Sequence, residues 1–319
     1  MTIASAGAVA LATIVAGGST AAAKGGEIGG SGDQYFLNDT WSGKANIEFS
    51  YGAATDQVYV GDWDGNGTDT LAVRRGATFY IRNSNSGGGA HQVVTYGRPG
   101  DVVLVGDWDG DGKDTFAVRR GAAYHVKNSL SSGPADRLAV YGRASDAVLV
   151  GDWNGDGKDT FAVRRGAAYH VKNSISAGAA DHVAVYGRAG DDVYVGDFDG
   201  DGDDSFTVRR GATYHVANAI RAGKADRTLT YGRTTDTTLV GDWNGDGTDT
   251  LGVRRGAPKP APVPTPRPPT VPGPPSDLDC DDFPTQAAAQ AEFNRWYPIY
   301  GDVHKLDSDG DMIACEFLP

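Results

Sequence analysis

The sequence has few basic residues for its length. Its 319 residues include 29 Lys and Arg against 41 Asp and Glu, which gives a formal charge of −12 at neutral pH. Nucleic acids and anionic membranes are bound by clusters of Lys and Arg. The composition therefore argues against a nucleic acid as partner and against attachment to an anionic membrane surface.

The sequence also lacks the short motifs of common hydrolases. It contains no Gly-x-Ser-x-Gly and no His-Glu-x-x-His. We therefore expect a protein that is not an enzyme. An extracellular hydrolase or an enzyme accessory subunit stays open as an alternative, because the many Asp residues could include a catalytic pair.

Cysteine is scarce as well. The only two cysteines are Cys280 and Cys315, both in the last 40 residues. In an exported chain, an even pair of this kind predicts one disulfide bond.

The first 23 residues contain no charged side chain. Residues 4–17 are small and largely apolar, and Ala21-Ala22-Ala23 precedes Lys24. This pattern predicts a signal peptide at 1–23, followed by a flexible segment at 24–34. The apolar run is too short and too rich in small residues for a stable transmembrane helix. We expect a secreted protein, extracellular or associated with the cell surface, without membrane insertion.

A unit of 45 residues is repeated along most of the chain. Copies begin with Tyr-Gly at Tyr51, Tyr96, Tyr141, Tyr186 and Tyr231, and the last copy stops after Gly256. Each full copy holds four short apolar or β-branched runs separated by Gly-Asp or Asn-Ser turns. Four strands in every 45 residues are typical of β-propeller blades, and a solenoid is the alternative.

The two ends of the array favour the propeller. Residues 35–50 match only the second half of the unit, and the copy from Tyr231 supplies only the first half. Together they complete a fifth blade, whereas a solenoid has no need of complementary halves. We predict an all-β fold, a closed five-bladed β-propeller over 35–257.

Three other residue types recur in every unit. The aromatic residues at 63, 108, 153, 198 and 243 are expected to pack between blades. An Arg-Arg pair ends each second strand, with one side chain on each side of the sheet. We expect these arginines to form ion pairs with the Asp-rich loops; a ring that binds anions or glycans is the alternative.

An Asp-rich loop follows the first strand of each unit. Oxygen-bearing side chains occupy loop positions one, three and five, and Gly occupies positions four and six. The candidate ligands are Asp62, Asp64, Asn66; Asp107, Asp109, Asp111; Asp152, Asn154, Asp156; Asp197, Asp199, Asp201; and Asp242, Asn244, Asp246. Such a tight turn gathers oxygens for a hard cation such as Ca²⁺. The alternative is an Asx-type turn that needs no ion.

This array resembles the FG-GAP and VCBS-type repeats of propeller proteins. The resemblance covers residues 51–256 and implies calcium loops. The family places an acidic residue at loop position nine, where this chain has Thr or Ser, and the acid stands instead at position eight (Asp69, Asp114, Asp159, Asp204 and Asp249).

The C-terminal part consists of a stalk and a small acidic module. Residues 258–276 form a Pro-rich linker that favours an extended polyproline II conformation. In the module at 277–319, Thr285 is a good N-cap for a helix over 286–297. Asp307, Asp309 and Asp311 place oxygens on one side of a loop, and Glu316 is positioned to complete a calcium site.

The module is similar to Excalibur domains, which are extracellular calcium-binding modules of bacterial surface proteins. It matches their Asp-x-Asp-x-Asp-Gly-x-x-Cys-Glu motif except that Met312 stands where the motif has Gly. If this position requires a positive φ, Met312 is strained there.

These features predict a secreted, non-catalytic, calcium-binding adhesion or recognition protein. The expected cofactor is Ca²⁺, and the expected partner is an extracellular polysaccharide or cell-surface protein bound by a monomer. A lectin-like propeller that binds cell-wall glycans is the second hypothesis, since equivalent blades present repeated sites.

Overall fold

A computed structural model describes residues 25–256 and 277–319, which belong to two compact units. The expected signal peptide at 1–23 and the Pro-rich linker at 258–276 lie outside these described residues. Within the described ranges, no helix is long and apolar enough to span a membrane.

The first unit is a five-bladed β-propeller of four-stranded antiparallel sheets. Blade 1 contains β3 (Gln57–Gly61), β4 (Thr70–Arg75), β5 (Thr78–Arg82) and β6 (Gln92–Thr95). Blade 2 contains β7 (Val102–Gly106), β8 (Thr115–Arg120), β9 (Ala123–Val126) and β10 (Arg137–Val140). Blade 3 contains β11 (Ala147–Gly151), β12 (Thr160–Arg165), β13 (Ala168–Val171) and β14 (His182–Val185). Blade 4 contains β15 (Asp192–Gly196), β16 (Ser205–Arg210), β17 (Thr213–Val216) and β18 (Arg227–Thr230).

Blade 5 is built from both ends of the propeller sequence. It contains β19 (Thr237–Gly241) and β20 (Thr250–Arg255) from one end, with β1 (Gln34–Leu37) and β2 (Ile47–Ser50) from the other. Strands β1 and β20 pair antiparallel, with Tyr35 opposite Arg254. The predicted five-bladed ring, closed between its own half-units, is confirmed.

The burial of each strand follows its place in the blade. The second strand is buried over most of its length, as in β12, whereas the outermost strand, such as β14, buries only one residue in four. The first strands of neighbouring blades contact one another all around the ring. They therefore surround a central axis.

Aromatic side chains fill the junctions between blades, as predicted. Trp108 packs on Phe161 of the next blade with ring centroids 5.3 Å apart, and Tyr124 stacks on the same Phe161 at 4.1 Å. The same arrangement recurs with Trp153, Tyr169 and Phe206. Such pairs contribute about 0.5–1.5 kcal/mol each beyond the burial of their area.

The residues before β1 lie inside the ring, in contrast to the flexible segment that the sequence suggests. The carbonyl of Gly25 accepts a hydrogen bond from the N–H of Val105, and the N–H of Ile28 donates to the carbonyl of Val58. Ile28 is buried in the core. At Gly30, a Cβ atom would lie 1.9 Å from Oγ1 of Thr237. The segment therefore fits along the inner strands because glycine leaves room for their side chains.

The second unit is built around one helix. A 3₁₀ turn (Cys280–Asp282) precedes α1 (Gln286–Tyr300), and the hydroxyl of Thr285 accepts a hydrogen bond from the N–H of Ala288. Phe293 packs in a small core with Leu306. The predicted disulfide bond between Cys280 and Cys315 is present, with Cα atoms 5.6 Å apart. A unit of this size buries little apolar surface, so the cross-link supplies needed stability.

Candidate metal-binding loops and the two faces of the propeller

The antiparallel blades give the propeller two chemically different faces. Each first strand ends in an Asp-rich loop, and the second strand returns the chain to the opposite side. We call the side with loops 62–69, 107–114, 152–159, 197–204 and 242–249 the Asp face. The side with the Tyr-Gly turns that open each unit is the Arg face, because the Arg-Arg pairs end there.

Each Asp-rich loop is folded around the carboxylate at position one. Oδ1 of Asp107 accepts hydrogen bonds from the N–H groups of Gly110 at 2.8 Å and Asp111 at 3.2 Å, and Oδ2 accepts from Gly112 at 2.8 Å. Gly112 has φ 82°, a conformation that glycine adopts without steric cost. The turn that the sequence predicts is therefore formed by the protein's own N–H groups.

Three of the loops bring three carboxylates together. Their oxygens lie within 4.8 Å of one another in Asp107/Asp109/Asp111, Asp197/Asp199/Asp201 and Asp307/Asp309/Asp311. All three are among the ligand sets predicted from the sequence. The structure shows that their oxygens converge, while the assignment of a metal stays a prediction.

The propeller loops with Asn at position three or five differ in this respect. In two of them the Asn amide donates to the position-five carboxylate, from Asn154 to Asp156 at 3.1 Å and from Asn244 to Asp246 at 3.0 Å. The amide hydrogens thus neutralise part of the charge that a cation would otherwise balance. Loop 62–69 likewise has carboxylates at only two of positions one, three and five, since position five is Asn66.

The acid at position eight connects neighbouring blades. Oδ2 of Asp114 accepts a hydrogen bond from the N–H of Asp62 at 2.8 Å, and the N–H of Asp114 donates to the carbonyl of Asp62 at 2.8 Å. The same reciprocal pair links Asp159 to Asp107, Asp204 to Asp152, Asp249 to Asp197 and Asp69 to Asp242. We call these five pairs the inter-blade clamps. They give the acid at position eight a role in joining neighbouring blades.

Position nine does not complete a coordination shell either. The hydroxyl of Thr115 donates to the carbonyl of Lys127 at 2.7 Å, and that of Ser205 donates to the carbonyl of Ala217 at 2.7 Å. Both side chains are buried. Any ion in a propeller loop therefore takes its ligands from positions one, three and five, from the backbone and from water.

The C-terminal loop repeats the propeller geometry and adds a fourth carboxylate. Oδ1 of Asp307 accepts from the N–H of Gly310 at 2.8 Å, and Oδ2 accepts from Met312 at 2.9 Å. Repulsion from Asp311 and Asp309 raises the pKa of Glu316, the acid predicted as the fourth ligand. The three aspartates of this module thus share one site, and Glu316 stays a predicted fourth ligand.

Met312 occupies the loop position that is Gly in the propeller. Its φ is 77°, compared with 82° at Gly112 and 93° at Gly202. An L-residue in this conformation costs roughly 1–2 kcal/mol. The strain expected from the sequence is therefore present, although the N–H of Met312 still donates to Asp307.

Loop 197–204 is the most acidic of the propeller loops. Burial first, and then repulsion from Asp201 and Asp197, raises the pKa of Asp199. Asp203, a further acid in the same loop, has a pKa raised by burial and by Asp201. Charges of one sign held this close favour either protons or a bound cation.

The arginine pairs do not contact the Asp-rich loops, contrary to the expectation from sequence. The first Arg of each pair is directed to the next blade: Arg164 donates to the carbonyls of Asp191 and Arg188, each at 2.9 Å. The second Arg pairs with an Asp of its own blade on the Arg face, as Arg210 does with Asp191. These partners lie in the turn that opens each unit, outside the Asp-rich loops.

Comparison with known proteins adds no identification. No protein-family model matches the chain, and a search of curated proteins found no match.

Proposed function

We propose that this is a secreted, non-catalytic, calcium-binding recognition protein whose FG-GAP/VCBS-like propeller is joined to an Excalibur-like module. The observation that carries the proposal is the convergence of the carboxylates of Asp307, Asp309 and Asp311, to which Glu316 is proposed as the fourth ligand. The disulfide bond in the same unit fits an oxidising compartment such as the cell exterior.

The donor set fits Ca²⁺ better than other biological metals. All side-chain donors are carboxylate oxygens on an exposed loop, with neither His nor Cys thiolate among them. Calcium accepts six to eight oxygen ligands in flexible geometry, and water and backbone carbonyls supply the remainder. When bound, the ion would offset the mutual repulsion of these carboxylates.

The loops are expected to bind calcium in a definite order. The C-terminal loop offers four carboxylates, loops 107–114 and 197–204 offer converging triads, and the three Asn-containing loops offer fewer charges. Affinity rises with the number of charged ligands. We therefore assign the strongest site to the C-terminal module.

Calorimetric titration of the full chain with Ca²⁺ tests this proposal. Asp309→Asn is expected to abolish the tightest binding event. Asp281→Asn, which removes an exposed acid of the same module outside the loop, is the matched control and should leave that event unchanged. If the tightest event survives Asp309→Asn, the assignment of this site is wrong.

A further inference from the structure

A groove of similar composition recurs on the propeller, away from the Asp-rich loops. In blades 3, 4 and 5 it has a volume of about 360, 440 and 290 Å³ respectively. Each groove is lined by the Tyr-Gly-Arg that opens the unit, by the second Arg of the pair and by a ring on the third strand. These sizes are at the lower end of the range of small-ligand sites.

In each groove, the guanidinium of the second Arg of the pair is held by an Asp and retains N–H groups that could bind a ligand. In blade 4, Arg210 donates to Oδ1 of Asp191 through Nε at 2.8 Å and to Oδ2 through Nη2. Its Nη1 has no partner among the described residues, and the side chain is 33% exposed. The hydrogen bond from Arg210 lowers the pKa of Asp191, so the pair stays charged at neutral pH. A fixed guanidinium with unused N–H groups is well suited to bind an anion.

The second guanidinium in the groove of blade 4 belongs to Arg188. This residue lies in a turn whose backbone is hydrogen-bonded through both its N–H and its carbonyl. The N–H of Arg188 donates to Asp191 at 2.8 Å, and its carbonyl accepts from Arg164 of the preceding blade at 2.9 Å. The side chain of Arg188 is exposed and makes no hydrogen bond within the described part of the chain. Arg143 and Arg233 occupy the same position in blades 3 and 5.

The groove also offers a flat, half-buried ring beside these charges. His215 lines the groove of blade 4, and His170 and Phe36 take the same place in blades 3 and 5. Lys224 adds a further positive charge in blade 4. A ring face next to guanidinium groups suits the C–H face and the carboxylate of an acidic sugar.

We propose that these grooves bind a polysaccharide carrying a carboxylate on its sugar units, with one acidic sugar held between the two arginines of each groove. This inference deepens the proposed recognition function and rests on it. Equivalent grooves on successive blades would engage one polymer at several points, which raises the overall affinity without new contacts. Blade 1 has Ala53 where the other blades have the exposed Arg, so it lacks one of the two guanidinium groups.

Titration of the full chain with hyaluronan, a polymer with a carboxylate on alternate sugars, tests the proposal. The measurements are made in EDTA so that calcium bridges do not contribute. The variant Arg143→Ala/Arg188→Ala/Arg233→Ala is expected to bind at least about tenfold more weakly, because charged hydrogen bonds are lost. Its melting temperature should change little, since the hydrogen bonds of these three residues are made by their backbone.

The matched control removes three positive charges elsewhere. Lys113 and Lys158 are exposed on the Asp face, and Arg295 is exposed on α1. Their combined replacement by Ala should leave hyaluronan binding within about twofold, and neutral dextran should not bind. As a gain of function, Ala53→Arg should tighten hyaluronan binding.

Two results would overturn the groove assignment alone. One is an equal loss of affinity in the control variant, which would show attraction by net charge alone. The other is absence of hyaluronan binding while calcium titration of the same sample is intact; the calcium proposal would then stand and the groove proposal would fail. Loss of both activities would reject both proposals.

Discussion

Asp159 and Asp107 hold each other across a blade junction. Oδ2 of Asp159 accepts from the N–H of Asp107 at 2.8 Å, and the N–H of Asp159 donates to the carbonyl of Asp107 at 2.7 Å, over a separation of 52 residues. The two acids belong to equivalent loops of adjacent blades, but their structural roles differ. Asp107 organises its own loop, and Asp159 holds the loop of its neighbour.

Replacing the clamp residue should therefore weaken the ring. Asp159→Ala leaves the N–H of Asp107 without its acceptor, which costs about 1–3 kcal/mol. Asp156→Ala removes an exposed acid three residues earlier and should change the free energy of unfolding by less than about 0.5 kcal/mol. Urea unfolding of both variants in EDTA gives the comparison. Equal stability of the two would mean that the clamp contributes nothing measurable.

The arginine at the closure of the ring should contribute more to stability than the equivalent arginines of the other blades. Arg254 donates to the carbonyls of Gly29, Gly32 and Asp56, all about 200 residues away in sequence. Arg254→Met removes these donors and leaves buried carbonyls unpaired, so we expect a loss of about 3 kcal/mol or more. Arg164→Met, at the same repeat position in blade 3, serves as the control and should cost less. If urea unfolding shows a larger loss of unfolding free energy for Arg164→Met than for Arg254→Met, the closure is not the more important of the two sites.

The conformation of Met312 predicts opposite effects of two substitutions. Met312→Gly removes the strain of a positive φ and, after the entropy that Gly gains in the unfolded chain, should stabilise the module by up to about 1 kcal/mol. Met312→Val places a β-branched residue in the same conformation and should destabilise it. Hydrogen exchange of the module's backbone amides in the full chain measures both. Equal protection from hydrogen exchange in the Val and Gly variants would contradict the strain at Met312.

Calcium binding by the C-terminal module should weaken on acidification earlier than an ordinary carboxylate site would. The pKa of Glu316 is raised above its usual value by Asp311 and Asp309 in the absence of an ion. As the pH falls through that raised value, a proton occupies Glu316 and competes with Ca²⁺; above it, the affinity is constant. Calorimetric titrations from neutral pH down to about pH 4.3, the ordinary value for Glu, follow the change. Glu316→Gln should remove this early part of the pH dependence.

The fold was predictable because the sequence features that indicate it recur at a fixed period. The 45-residue repeat placed four strands in each blade, and the complementary halves at 35–50 and 231–256 determined the closure that β1 and β20 form. The disulfide bond followed from there being only two cysteines. The ligand triads were predictable as well, because all their members lie within a few residues of one another.

What the sequence did not reveal depends on contacts between blades. The partner of Asp114 is a backbone N–H 52 residues away, and the partners of Arg164 are carbonyls in an ordinary turn. Backbone groups carry no sequence signal. The packing of Ile28 against the inner strands likewise arises only once the ring has closed.

The closure of blade 5 has a consequence for the order in which the propeller can form. Gly32 and Arg254, which bond across this closure, are 222 residues apart. During synthesis or export, β1 therefore cannot pair with β20 until nearly the whole array has emerged. Contacts over such separations slow folding and leave strand edges exposed in the interval. The last repeat to appear thus decides when the first residues of the ring acquire their native partners.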